Sequence, residues 1–399
     1  MTAIPQPRTT QAAILVAQRQ PLVVDEIELP DELGYGQVLV EVRHSGVCGS
    51  QLGEIDGVKG EDKFLPHLLG HEGAGQVLAI GAGVKTVRPG DRVVLHWMKG
   101  RGIEADPPVY RWQGRRLNAG WVTTFNRHAV VSENRVTTVP EDTDLEVAAL
   151  LGCAVTTGLG VIKNNARLTA GESIAIFGAG GVGLNVVQGA ALASAWPIIA
   201  VDLFDAKLQL AARLGATHTI NAKTGDVRGQ IRQIVGAAGV DVAVDNTGDP
   251  RVIEAAYELT ARNGRTVLVG VPKAGSNIAI HSLPLHFGKS LAGSHGGESQ
   301  PSEDIPRYLR LVDAGKLVLD HLVTDRYGLE DINKAIAAMR EGRVTGRCMI
   351  ELHKTATAQG VRQRSEAGQP GVGAFGMGVG RTHPSAIHSP GTLTQPARH

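Results

Sequence analysis

The chain has 399 residues, more than a single hydrophobic core serves well, so two folded domains are expected. A formal net charge of +1 gives no electrostatic reason for a nucleic-acid or anionic-membrane partner, and 51 glycines without a Gly-X-Y period exclude collagen and point to tight turns. Three cysteines, Cys48, Cys153 and Cys348, cannot build a disulfide framework, which places the chain in a reducing, cytoplasmic setting.

The first apolar run, AAILVA at 12–17, is too short for a signal peptide. Short alternating runs follow at 22–29 (LVVDEIEL), 37–46 (QVLVEVRHSG), 74–84 (AGQVLAIGAGV) and 90–97 (GDRVVLHW), with Gly and Pro-Gly turns between them. That pattern predicts a partly barrelled β region of short strands. Near residue 170 the pattern changes. SIAIFGAG reads as a buried strand, GVGLNVVQGAALASA as a helix and PIIAVD as a second strand, so this long apolar region is no membrane span. Helices at DAKLQLAARLG, DVRGQIRQIVG and VIEAAYELTARNG then alternate with strands at THTIN, DVAVDNTG and RTVLVGV. Such alternation predicts a doubly wound parallel sheet. The segment SNIAIHSLPL at 276–285 reads as an edge strand able to pair with its twin in a dimer. Helices at 303–315 and 328–342 precede a last strand, RCMIEL. Residues 354–399, rich in Gly, Pro, Ser and Thr, read as a disordered tail.

Within FGAGGVG, Gly178, Gly180 and Gly183 fit G-x-G-x-x-G between a strand and a helix. Gly178 makes the turn, Gly180 admits a pyrophosphate, Gly183 lets helix and strand pack closely, and Gly181 and Val182 open the helix whose N-terminus faces the phosphates. Asp202, ending the next strand, is placed to accept from ribose hydroxyls and to repel a 2′-phosphate, which favours NAD over NADP. Lys207 reaches the same ribose or simply solvates its helix. Cys48, His71 and Cys153 together offer two thiolates and an imidazole, a plausible zinc set with one open position; each alone also reads as ordinary packing.

Several segments resemble the zinc-dependent alcohol dehydrogenases of the medium-chain dehydrogenase/reductase superfamily. They are GVCGS, GHEGAGQVLAIGAGVKTVRPGDRV, LLGCAVTTG, FGAGGVG, VDLFDAK, VLVGVP and GRCMIEL, in the family's order, and the likeness runs from about residue 12 to 352. The resemblance implies an α/β protein: a GroES-like, partly barrelled β catalytic domain at 1–154, a Rossmann NAD-binding domain at 155–295, and a return to the catalytic domain at 296–353. It implies that Cys48, His71 and Cys153 hold a catalytic zinc and that Glu72 lies beside it. Ser50 would take the substrate proton, Thr157 and Val271 would lie by the nicotinamide, and Arg347 would contact the pyrophosphate. Trp97 aligns with a wall of the substrate pocket. The activity implied is hydride transfer between an alcohol, or an aldehyde or ketone in reverse, and NAD, in a cytoplasmic homodimer.

Four departures stand out. The region 96–120 holds no cysteine, so the four-cysteine structural zinc common in the family is impossible; one zinc per chain is expected, with the lobe held by packing or salt bridges. Gln51 stands where an Asp usually braces the ligand histidine, and is expected to accept a hydrogen bond from it more weakly than a carboxylate would. Gly53 replaces a proton-relay histidine found in some members. Lys59 and Lys63 stand where the glutathione-dependent branch carries acids, which argues against a glutathione adduct as substrate. The alternatives are a zinc-independent quinone or enoyl reductase of the superfamily and a non-catalytic NAD-binding protein.

Overall fold

Two architectures meet in one chain, and the switch falls where the sequence pattern changes. The computed structural model describes residues 2–3 and 8–353; the expected tail at 354–399 lies outside them. The N-terminal part folds into two antiparallel-dominated sheets. One has Thr9–Leu15 and Val23–Glu28 at its centre, and the larger is built around the long strand Gln37–Val47, flanked by Glu72–Ile80 and His128–Ser132. Their shared interior is the Val/Leu/Ile cluster that includes Val38, Val40, Val42, Val93, Leu95 and Phe125.

From residue 174 a six-stranded sheet forms in the order His218–Asn221, Ile198–Asp202, Ile174–Phe177, Val240–Asp245, Thr260–Leu268 and Ser290–Gly293, with every pairing parallel. Its central strand, IAIF, is buried throughout, as a strand covered by helices on both faces must be. Two separate apolar clusters lie on the sheet's two faces, one with Ile174, Ile176 and Leu184, the other with Ala175, Phe177 and Ile231. The sheet's order reverses between Ile174–Phe177 and Val240–Asp245, and doubly wound folds open their ligand crevice at such a point.

The chain then returns to its first half. The strand Arg347–Glu351 pairs antiparallel with Gln37–Val47, with Cys348 opposite Val47, so Arg347 arrives beside the start of the Cys48 turn. The lobe without cysteines is tied down by hydrogen bonds and an ion pair. Glu133, 1% exposed, accepts the backbone N–H groups of Lys85, Thr86 and Ile103, and Glu104 pairs with Lys99. The Tyr110 hydroxyl accepts the Val130 N–H at 2.8 Å. The expected strand at 276–285 is not formed: residues 276–282 make no ladder, and Ser290–Gly293 takes the sheet edge. Alternation alone does not make a strand when no neighbour offers it hydrogen bonds. Among the described residues, no helix is long and apolar enough to cross a membrane.

Candidate active site

Three separate turns deliver the triad. Cys48 follows the long strand and caps the helix Gly49–Ile55, His71 stands just before the strand Glu72–Ile80, and Cys153 precedes the helix Ala154–Gly160. Their ligand atoms lie within 4.8 Å of one another. Such a set of soft thiol and imidazole donors fits zinc and leaves a position open. The two thiols are unequal. A hydrogen bond from Cys153, reinforced by His71 and Arg347, holds Cys48 well below the ordinary thiol range, while the same partner and burial push Cys153 up. Cys348, by contrast, sits in the core, and burial pushes it up to about 12.

Glu72 is fully buried beside the triad. One carboxylate oxygen is ion-paired with Arg347, itself 4% exposed, and the other accepts the Ala154 N–H at 3.3 Å. Arg347, expected at the pyrophosphate, therefore also neutralises the acid nearest the metal ligands. Its side chain lies over Gly181, where a Cβ would meet Arg347 Cδ at 2.4 Å. Trp97 stands edge-on to His71 at 6.5 Å between ring centroids and edge-on to His295 at 5.0 Å.

The glycine loop faces this site across a 360 Å³ cleft lined by Cys48, Ser50, Gly180, Val182, Val271 and Arg347 among others. Gly178 has φ +89°, which an L side chain resists. A Cβ on Gly183 would lie 1.9 Å from Gly178 O, whereas one on Gly180 would meet nothing within 4 Å. Gly183 is thus required by packing, and Gly180 leaves a cradle open toward the cleft, which suits a pyrophosphate at the N-terminus of the helix Gly181–Leu192. Thr157 is buried beside the Cys153 thiol. Asp202 lines an adjoining 670 Å³ cavity with Phe204, Lys207, Arg228 and Arg251. Its carboxylate accepts from Ala179 N, Leu203 N and Phe204 N, which fixes it at the rim with one lone pair to spare. Lys207 lines both cavities, and its ammonium lies 5.2 Å over the Phe204 ring.

Gln51 reaches His71, but not with the group expected. Its amide nitrogen lies 2.9 Å from His71 Nδ1, while its oxygen accepts the Gly70 N–H at 2.6 Å. The amide donates to the ring where an acceptor was anticipated, because Gly70 claims the oxygen. Sequence reasoning also passed over Asn246 and Thr247, which line the cleft and follow the strand Val240–Asp245. Their signal was available in the turn DNTG at the carboxyl end of a central strand.

Residues 34–141 match the model of the alcohol dehydrogenase GroES-like domain, and residues 181–314 match that of zinc-binding dehydrogenases. The S-(hydroxymethyl)glutathione dehydrogenase of Paracoccus denitrificans is 32% identical over 375 residues, covering 84% of this chain and 97% of that one. The chain belongs to the zinc-dependent alcohol dehydrogenases of the medium-chain superfamily. Another member, the class-3 alcohol dehydrogenase of Cereibacter sphaeroides, is 31% identical over 374 residues, with 84% and 97% of the two chains covered. Among solved structures of this family, a zinc-binding-domain protein from Burkholderia ambifaria superposes with a TM-score of 0.80 at 33% identity, over 87% of this chain and 99% of that one. The benzyl alcohol dehydrogenase of Acinetobacter calcoaceticus superposes with a TM-score of 0.78 at 29% identity, over 87% of this chain and all (100%) of that one. Membership brings the GroES-like and Rossmann halves, zinc and NAD together in one oxidoreductase.

Proposed function

We propose that this dehydrogenase oxidises a small alcohol with NAD, or reduces the matching aldehyde or ketone, using one zinc per chain held by Cys48, His71 and Cys153. The observation that carries the reading is the meeting of those three donors within 4.8 Å, with Cys48 in the wall of the cleft that the glycine loop also lines. Zinc would supply a Lewis acid that acidifies the alcohol, and NAD would take the hydride.

The chain's own residues do the rest. Ser50, in the first turn after Cys48 and in the cleft wall, accepts a hydrogen bond from the substrate hydroxyl and, as it takes that proton, would pass its own on to a cofactor ribose hydroxyl and water. Glu72 and Arg347 form a neutral pair behind the triad, so the buried acid adds no uncompensated charge there. Gly178, Gly180, Gly181, Val182 and Gly183 seat the pyrophosphate, with Arg347 alongside. Thr157 and Val271 bracket the nicotinamide, Asp202 and Lys207 hold the adenosine ribose, and the charge of Asp202 disfavours NADP. Trp97 and His295 wall the substrate side. Lys59, exposed in the cleft lining, sets this site apart from one built for a glutathione adduct.

The division proposed is a catalytic domain at 1–154 and 296–353 around an NAD domain at 155–295. A cytoplasmic homodimer is part of the proposal. Exposed Leu283 and Phe287, 55% and 54% accessible near the sheet edge, support a second copy there. The test is NAD reduction across aromatic, aliphatic and sugar alcohols, before and after treatment with a zinc chelator. Turnover of at least one class that the chelator abolishes is expected; turnover indifferent to chelation sinks the proposal. Equal use of NADP contradicts the role given to Asp202.

A further inference from the structure

Which nitrogen of His71 can serve a metal depends on what its other nitrogen faces. Nδ1 lies 2.9 Å from Gln51 Nε2, leaving Nε2 for the thiol side. Gln51 is 4% exposed, and its amide is oriented from two directions. A backbone N–H only donates, so the atom 2.6 Å from Gly70 N is the amide oxygen. A carboxylate accepts, so the atom 3.3 Å from Glu54 Oε2 is the amide nitrogen. Turning the amide over would oppose N–H to N–H at Gly70 and oxygen to oxygen at Glu54.

Glu54 stands in a wider row of polar side chains. Its other oxygen lies 3.9 Å from His67 Nε2, which is 2.7 Å from Asp62 Oδ2, while His67 Nδ1 donates to Leu68 O at 2.9 Å. The chain of contacts therefore runs from Asp62 through His67, Glu54 and Gln51 to His71.

We propose that Gln51 and Glu54 are positioning residues that lock His71 in the tautomer opposed to metal ligation, so that this pair sets how tightly the chain retains zinc. With the amide NH2 donating to Nδ1, the neutral ring carries its hydrogen on Nε2, the nitrogen the metal needs. To ligate as a neutral ring, His71 must move that hydrogen to Nδ1, and the Gln51 amide must then turn and give up both of its fixed contacts. A carboxylate at position 51 would accept from Gly70 N–H and Nδ1–H together and impose no such conflict. The inference rests on reading the triad as the zinc site.

The test exchanges the two side chains. Gln51→Glu with Glu54→Gln conserves charge and side-chain size, places the carboxylate against His71 and lets residue 54 donate to it. The zinc dissociation constant, measured by competition with a chromophoric chelator, is expected to fall about 10- to 100-fold, the range that partners of ligand histidines command. Gln51→Glu alone is expected to gain less, because two carboxylates then meet. A swapped protein whose zinc-free form melts like the parent and whose zinc affinity is unchanged or weaker overturns the lock. If the swapped protein does not fold, Gln51→Asp with Glu54→Gln carries the same expectation and the same contrary result. A parent that binds no zinc, or that keeps it after Cys48→Ser, overturns the triad reading itself and the lock with it.

Discussion

The glycine loop and Cys48 of the cysteine–histidine triad line one cleft, but different lengths of chain build the two devices. The loop is a single run, Gly178–Gly183, fixed by its own backbone: Gly178 turns with positive φ and Gly183 packs against the Gly178 carbonyl. The triad draws on residues 48, 71 and 153, and depends on three turns and on the pairing of Gln37–Val47 with Glu72–Ile80. A local device survives changes elsewhere, whereas an assembled one is only as good as the sheet that assembles it. Substitutions on the two sides of the cleft should therefore fail in different ways.

The sharpest break is His71→Ala. It removes one metal donor from a partly exposed position and touches nothing in the loop. Alcohol oxidation should fall on the order of a thousandfold or more, while the NAD dissociation constant, read by cofactor fluorescence, stays within about threefold. Loss of NAD binding with the zinc would show that the two halves are not separable.

Acid should strike the triad half first. His96 is fully buried at the end of Arg92–His96, opposite Glu72 in the sheet, and burial pushes its ring down from 6.5 to about 4. Because the folded ring resists protonation, the unfolded chain takes the proton first. Stability is therefore complete above about pH 6.5 and drains as pH falls toward 4, by up to about 3 kcal/mol. Urea unfolding of zinc-free protein across that window should show the slope, and His96→Gln should flatten it. An unchanged slope in the variant would remove His96 from the account.

Two glycine substitutions separate folding from cofactor binding within the loop. Gly183→Ala drives a Cβ to 1.9 Å from a backbone oxygen and should cost about 1–3 kcal/mol of stability as well as NAD affinity. Gly180→Ala meets nothing within 4 Å, so it should melt with the parent yet bind NAD about tenfold more weakly. Equal effects on melting from both would contradict the assignment of one glycine to packing and the other to the ligand.

The same contrast explains what could be read in advance. The loop was legible because its residues are adjacent and the strand–turn–helix context is written around them. The triad was legible only through family resemblance, since nothing local to GVCGS says that a histidine and a second cysteine will arrive. The doubly wound sheet followed from its alternating pattern, but the strand expected at 276–285 did not form, because a pattern cannot report whether a neighbouring edge is available. Gln51 shows the limit most clearly. Its position beside His71 was inferable, but the direction of its amide depends on Gly70 and Glu54, whose approach only the fold reveals.

The central claim is that Cys48, His71 and Cys153 hold one zinc on the NAD cleft. The most direct measurement is zinc content per chain by plasma mass spectrometry for the parent, Cys153→Ser and Cys348→Ser. Cys348 is buried as deeply as Cys153 but packs into the apolar core and is not one of the three clustered donors, so it serves as the control. The expected result is about one zinc in the parent and in Cys348→Ser, and almost none in Cys153→Ser. Two zincs in the parent, or one retained by Cys153→Ser, would contradict it.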